Sequence, residues 1–131
     1  MRSFWNEQAK WSESIFGDSK SRGPTGPLLH LRKEVEEAIK ELEELESIRW
    51  NGNIDPIIKD QKWLKIKERL LNELVDCQFL VFDAARRTGF KYDEFVAACF
   101  AKLAVNKKRE WPKPTSDTPV EHVREPMTFL I

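Results

Sequence analysis

The stretch LLNELVDCQFLVFDAARR, residues 70 to 87, is apolar nearly all round a helix yet carries three acids, Glu73, Asp76 and Asp83. A helix with apolar residues on every side is expected to be deeply buried in a helical domain. Carboxylates in such a run need partners, because an unpaired charge is costly away from water. The same segment therefore points to an all-α fold and to a charged site inside it.

The rest of the chain agrees with the helical reading. Residues 3 to 16, SFWNEQAKWSESIF, form an amphipathic pattern ending at Gly17, and GDSKSRGPTGP reads as a loop. A long helix is expected over about 28 to 48, where Leu28, Leu31, Val35, Ala38, Leu42 and Leu45 alternate steps of three and four. After the break at WNGNIDP, a second long helix runs from about 60 to 88, with Arg86 and Arg87 in its last turn and Gly89 at its end. A fourth covers about 93 to 109, with Phe95, Val96, Cys99, Phe100 and Leu103 as its apolar positions. Beyond Trp111 the tail, about 112 to 131, has three prolines by residue 119 and no clear period, so it is expected to be extended. No strand-like alternation and no repeat is present. The expectation is an all-α, four-helix bundle in one domain of 131 residues.

Charge narrows the function. Lys plus Arg and Asp plus Glu each number 22, a balance that argues against nucleic-acid binding, which needs a basic surplus. Residues 28 to 50 hold seven Glu against four Lys/Arg, while residues 91 to 112 hold five Lys/Arg against three acids. An acidic helix and a basic segment suit a metal and an anion together. No apolar run is long enough to span a bilayer, and a cytoplasmic protein is expected (host cytoplasm if phage-encoded). Cys77 and Cys99 read as reduced core residues, and His30 and His122 are isolated, so zinc is not expected.

Glu34, Glu37 and Glu41 stand at i, i+3 and i+7, a stripe bordering the apolar one, whereas Glu36, Glu43 and Glu44 fall on the solvated side. Glu73 and Asp76 share one face of the other long helix, with Asp83 two turns further on. Two antiparallel helices bring these groups together, and carboxylates so close need a cation. An all-oxygen donor set favours Mg²⁺, with Mn²⁺ as the alternative. Trp5, Trp11 and Phe16 on the first helix offer a stacking wall for a flat ring and Asn6 and Gln8 offer exposed amides, although the aromatics read rather more readily as core. Lys20 and Arg22 in the loop either approach phosphates or are solvated. Trp50 and Trp63, in or beside the 49–63 segment, are expected to serve oligomer packing, and Trp111-Pro112 to pin the tail.

KEVEE followed by ELVD resembles the metal-binding signature of the MazG-type all-α nucleoside triphosphate pyrophosphohydrolases. WSESIFG, HLRKEVEEA, ELVDCQFLVFDAARRTG, AKLAVNKKREWP and VEHVRE follow in the order of the dATP/dGTP diphosphohydrolase branch. The resemblance implies Mg²⁺-dependent hydrolysis of dGTP or dATP to the monophosphate and pyrophosphate, in nucleotide-pool remodelling such as a phage performs. It implies Glu34, Glu37, Glu73 and Asp76 as catalytic metal ligands, and Asp83, Lys102, Asn106, Lys107, Arg109 and Trp11 as substrate-binding residues. It also implies a homo-oligomer, a tetramer rather than a dimer. Two departures stand out: Lys33 replaces a frequent extra Glu, and the Glu37-to-Glu73 spacing is long, as if residues were inserted around RWNGNIDPIIKDQKW. Removal of non-canonical nucleotides is the rival activity, and a non-enzymatic helical oligomer with a structural cation is the rival class.

Overall fold

The structure is a computed structural model that describes residues 1–114 and 119–122. It contains four helices, α1 Arg2–Phe16, α2 Thr25–Arg49, α3 Pro56–Thr88 and α4 Tyr92–Lys108, and no strand among the described residues. The all-α class expected from the sequence is the class observed. Most of the tail beyond residue 114, including VEHVRE past His122, lies outside the described residues.

Two helices begin earlier than their hydrophobic pattern does. α3 starts at Pro56 because Asp55 caps it, its carboxylate accepting from the Ile57 and Ile58 amides at 2.9 and 3.5 Å. Proline in the first turn needs no N–H partner, so Pro56 opens the helix rather than breaking it. α2 begins at Thr25 and takes Pro27 into its first turn for the same reason. α3 stops at Gly89, whose φ of 102° is a left-handed conformation that a residue with a Cβ adopts at a cost.

The chain forms two compact units, residues 1–92 and 93–131. In the first, the short 50–55 connection folds α2 and α3 into an antiparallel hairpin, and α1 packs on the C-terminal half of α3. Two apolar clusters hold it. At the hairpin end, Leu45, Ile48 and Ile66 are buried, with Ile54 and Trp63 against them. Where α1 meets α3, Trp5 and Phe82 are buried, their ring centroids 4.7 Å apart, and Phe4 stacks on Phe79 at 5.5 Å. In the second unit, α4 buries none of its residues, and the Trp111 ring meets His122 edge-on at 5.6 Å, a contact in keeping with a pinned tail.

Several expectations about burial are corrected. α3 is not enclosed: Leu64, Leu71, Leu74 and Val75 are exposed, as are Leu28, Val35 and Leu42 of the α2 stripe. One hairpin and one short helix cannot cover both apolar faces of two long helices. Cys99 is exposed and Cys77 only half-buried, so neither is a core residue. Trp63 serves the intramolecular cluster rather than an outside surface, whereas Trp50 is exposed and bonds Glu46 at 3.0 Å.

Replacing Ile66 by alanine removes a side chain from the better-filled cluster and should cost about 2–5 kcal/mol in urea unfolding. Asp55→Ala, which loses one cap, should cost about 1 kcal/mol. Equal losses would mean that the Leu45–Ile48–Ile66 cluster is not the anchor of the hairpin.

Candidate active site

The α2–α3 seam changes character along its length. From the Leu45–Ile48–Ile66 cluster it passes to Arg69, whose guanidinium meets Glu41 at 3.0 Å and Glu44 at 3.1 Å. Glu41 is thereby committed to an ion pair and withdrawn from the acidic stripe. Next come Glu34 of α2 and Glu73 and Asp76 of α3, each offering an oxygen within 4.8 Å of the others. The apolar contact of Trp5 with Phe82 closes the far end. The acids therefore sit between two packed clusters that fix the helices on either side of them.

This arrangement suits a hard cation. Glu73 Oε2 is buried and, among the described residues, takes no hydrogen bond from a donor. Two ionised carboxylates have no proton to share, so a Glu34–Glu73 hydrogen bond exists only when one is protonated. That bond first, then burial, then the charges of Glu34, Glu37 and Asp76, push the Glu73 carboxyl above its ordinary value near 4.5. Glu37 acts on Glu73 through its charge but stands outside the three-residue group. His30, one turn before Glu34, meets Glu34 Oε1 at 2.9 Å and so orients that carboxylate, a role that its isolation in the sequence concealed. Cys77 lies beside the cluster, where burial pushes its thiol up and keeps it protonated at neutral pH.

Beyond His30 the seam opens into a cavity of about 420 Å³, within the range of small-molecule sites. Phe16 at the end of α1, Arg22 from the first connection, His30 from α2, and Leu80, Asp83 and Arg87 from α3 all line it. The connection is shaped by Gly17, which ends α1 at φ 86°, and by Asp18, which accepts from the Lys20 and Ser21 amides at 3.0 and 3.2 Å. Arg22 thus faces a cavity rather than open solvent alone.

The aromatic wall of α1 divides. Trp5 belongs to the core, Phe16 lines the cavity, and Trp11 is exposed with its ring edge-on to Phe16 at 6.0 Å. Gln8 is not an exposed amide. It is buried, donates to Asp83 Oδ1 at 3.0 Å, and accepts from Arg86, which also pairs with Asp83 and lies over the Trp5 ring. This three-residue network was hidden because Gln8 and Asp83 are 75 positions apart.

The basic segment belongs to the second unit. Lys102, Asn106 and Lys107 are on α4 and Arg109 follows it, its Nη1 donating to Asn106 Oδ1 at 3.3 Å. Trp111 Nε1 donates to the Asn106 carbonyl at 2.8 Å, which fixes the turn after the helix.

A native Glu73 pKa above its unfolded value stabilises the metal-free fold in acid, and this contribution is lost as pH rises through the raised value. In EDTA, the melting temperature should therefore fall as pH rises above the ordinary value near 4.5, more steeply in the wild type than in Glu73→Gln. Equal slopes would show that Glu73 is not the group strained by its neighbours.

Among the described residues no helix is long and apolar enough to cross a membrane. Residues 42–128 match the model of a family described as dATP/dGTP pyrophosphohydrolase. That span includes Glu73, Asp76, Asp83 and the basic segment, while Glu34 and Glu37 precede it. The Eaa protein of Salmonella phage P22 is 46% identical over 54 residues, which make up 40% of this chain. The chain spans only 17% of the length of that curated relative. No solved structure matches. On the family match, which extends over the end of α2, all of α3 and α4 and most of the segment after them, the chain belongs to the dATP/dGTP pyrophosphohydrolase family, hydrolases acting on nucleoside triphosphates.

Proposed function

We propose that the chain hydrolyses purine deoxynucleoside triphosphates, dGTP or dATP, to the monophosphate and pyrophosphate, in nucleotide-pool remodelling. The observation that carries this reading is that Glu34, Glu73 and Asp76 each bring an oxygen within 4.8 Å of the others, with Glu73 Oε2 buried and without a hydrogen-bond partner among the described residues. In a chain of this family, such an oxygen-only cluster supports a divalent cation, with Mg²⁺ first and Mn²⁺ second.

Glu34, Glu73 and Asp76 would hold the cation, and Glu37 would supply further negative charge or complete the set. A cation bound there would supply Lewis-acid binding of triphosphate oxygens and a more acidic water. The hydrolysis breaks the bond between the α-phosphorus and the bridging oxygen, with water adding to the α-phosphorus in line and pyrophosphate leaving. Charge grows on the transferred group and the leaving oxygen, and the family resemblance names Lys102, Lys107 and Arg109 as cations, and Asn106 as an amide, for the nucleotide. The His30 contact to Glu34 keeps one carboxylate oriented through the cycle. Phe16, which lines the cavity, and Trp11, edge-on to it, offer a stacking surface.

Pyrophosphate release from the common dNTPs, dUTP, the NTPs and oxidised purine nucleotides, with Mg²⁺ or EDTA, tests this reading. Release should depend on Mg²⁺ and be fastest with dGTP or dATP. Glu73→Gln and Asp76→Asn should each lower kcat/KM about a hundredfold or more, the scale of removing one group that stabilises transition-state charge. Glu36→Gln, an exposed acid outside the cluster, should leave it within a factor of two or so. A preference for damaged nucleotides would favour the house-cleaning activity, and metal-dependent folding without turnover a structural cation.

We also propose that the chain works as a homo-oligomer, a tetramer. Leu28, Val35 and Leu42 stand seven apart on α2, Leu64 and Leu71 seven apart on α3, and all five are exposed. Apolar rows at heptad spacing on two neighbouring helices are suited to a second hairpin. Light scattering should give four times the 15.4 kDa chain mass, and Leu71→Asp should reduce it. A monomeric wild type would contradict the assembly.

A further inference from the structure

The cavity beside the acidic cluster has one polar group whose bonding is half complete. Asp83 lines the cavity, is itself buried, and receives both Gln8 Nε2 and Arg86 Nη2 on Oδ1. Among the described residues no donor meets its Oδ2. A carboxylate paired with a guanidinium offers acceptors only, so what Asp83 has left for an occupant is a hydrogen-bond acceptor. Along α3 it lies seven residues beyond Asp76, about 10 Å of helix rise, roughly the reach of a nucleoside from its α-phosphate. His30 lines the same cavity and touches Glu34, so cavity and cluster are continuous.

We infer that this cavity takes the base of the nucleotide and that Asp83 Oδ2 selects guanine. The inference rests on the proposed pyrophosphohydrolase activity at the neighbouring acids. Guanine presents two adjacent donors on its pairing edge, N1–H and the 2-amino group, and one carboxylate oxygen has lone pairs for both. Adenine presents one donor, its 6-amino group, next to the bare N1 lone pair, which the carboxylate repels. Phe16 and Leu80 supply apolar contact for the ring, and Arg22 and Arg87 complete the wall.

Gln8 and Arg86 are positioning residues in this scheme, since they fix which oxygen is occupied. Their donors still require an acceptor if Asp83 becomes asparagine. The amide oxygen must then take the Oδ1 place, and the amide nitrogen must stand where Oδ2 stood. An acceptor becomes a donor at the same point, matched to adenine N1 and opposed to guanine N1–H.

The test is the ratio of kcat/KM for dGTP to that for dATP, which does not depend on the fraction of a variant that folds. The wild type should favour dGTP by about 10- to 100-fold, the scale of a hydrogen bond to a charged, buried group. Deoxyinosine triphosphate, which keeps N1–H and lacks the 2-amino group, should fall between the two. Asp83→Asn should lower the ratio at least about tenfold, with dATP turnover losing less than dGTP turnover. A wild type indifferent to the base, or a variant that loses both substrates equally, would overturn the inference. Equilibrium binding of dGTP and dATP in Ca²⁺ separates this failure from that of the proposed activity. An Asp83-dependent preference for dGTP in binding, with no turnover of any nucleotide, would retain the base site and reject the hydrolysis.

Discussion

The unit formed by α1–α3 is organised around the approach of Glu34, across the helix seam, to Glu73 and Asp76. Two unit charges 4.8 Å apart repel by about 3 kcal/mol at an effective dielectric constant near 20, and less where solvent screens them. Full burial of one large apolar side chain returns about 1.5–3 kcal/mol. One carboxylate pair therefore cancels roughly one core residue. The hairpin tolerates the repulsion because Leu45, Ile48 and Ile66 hold one end of the seam, and α1, through Trp5 and Phe4, holds the other. A divalent cation bound there would offset this repulsion, and Glu73 Oε2, without a hydrogen-bond partner among the described residues, would be available to it.

The same seam explains how a small protein keeps different polar groups from interfering. Arg69 ties down Glu41 and Glu44, so these acids do not add to the central repulsion. Arg86 ties down Asp83 at the opposite side, although burial opposes its charge, and the Trp5 ring beneath it compensates for part of the lost water. Between these two pairs stand the central acids, with His30 at 2.9 Å from Glu34. The cluster is thus set apart by its neighbours' pairings as much as by its own spacing.

Much of this was legible in the sequence, because helix periodicity and i, i+3 spacing are local. The four helices, the exit at Gly89 and the placement of Glu73 and Asp76 on one face of α3 all follow from such patterns. What the sequence did not disclose depends on long-range packing. Gln8 is an ordinary amide until α3 places Asp83 and Arg86 against it. Composition also misled: an all-apolar α3 promised burial, but its Leu71, Leu74 and Val75 face outward because one hairpin has too little surface to cover them. Asp55 was missed as a cap because the hydrophobic period of α3 begins several residues after the helix does.

Titration of Mn²⁺ into the chelator-treated protein, followed by its electron paramagnetic resonance signal, tests the central claim most directly, since free and bound ions are distinguished without turnover. The wild type should take up Mn²⁺ at a defined stoichiometry, Mg²⁺ should displace it, and Glu73→Gln should weaken it by about tenfold or more. Uptake that is absent, or that survives the loss of Glu73 unchanged, would contradict a metal site built on the α2–α3 seam.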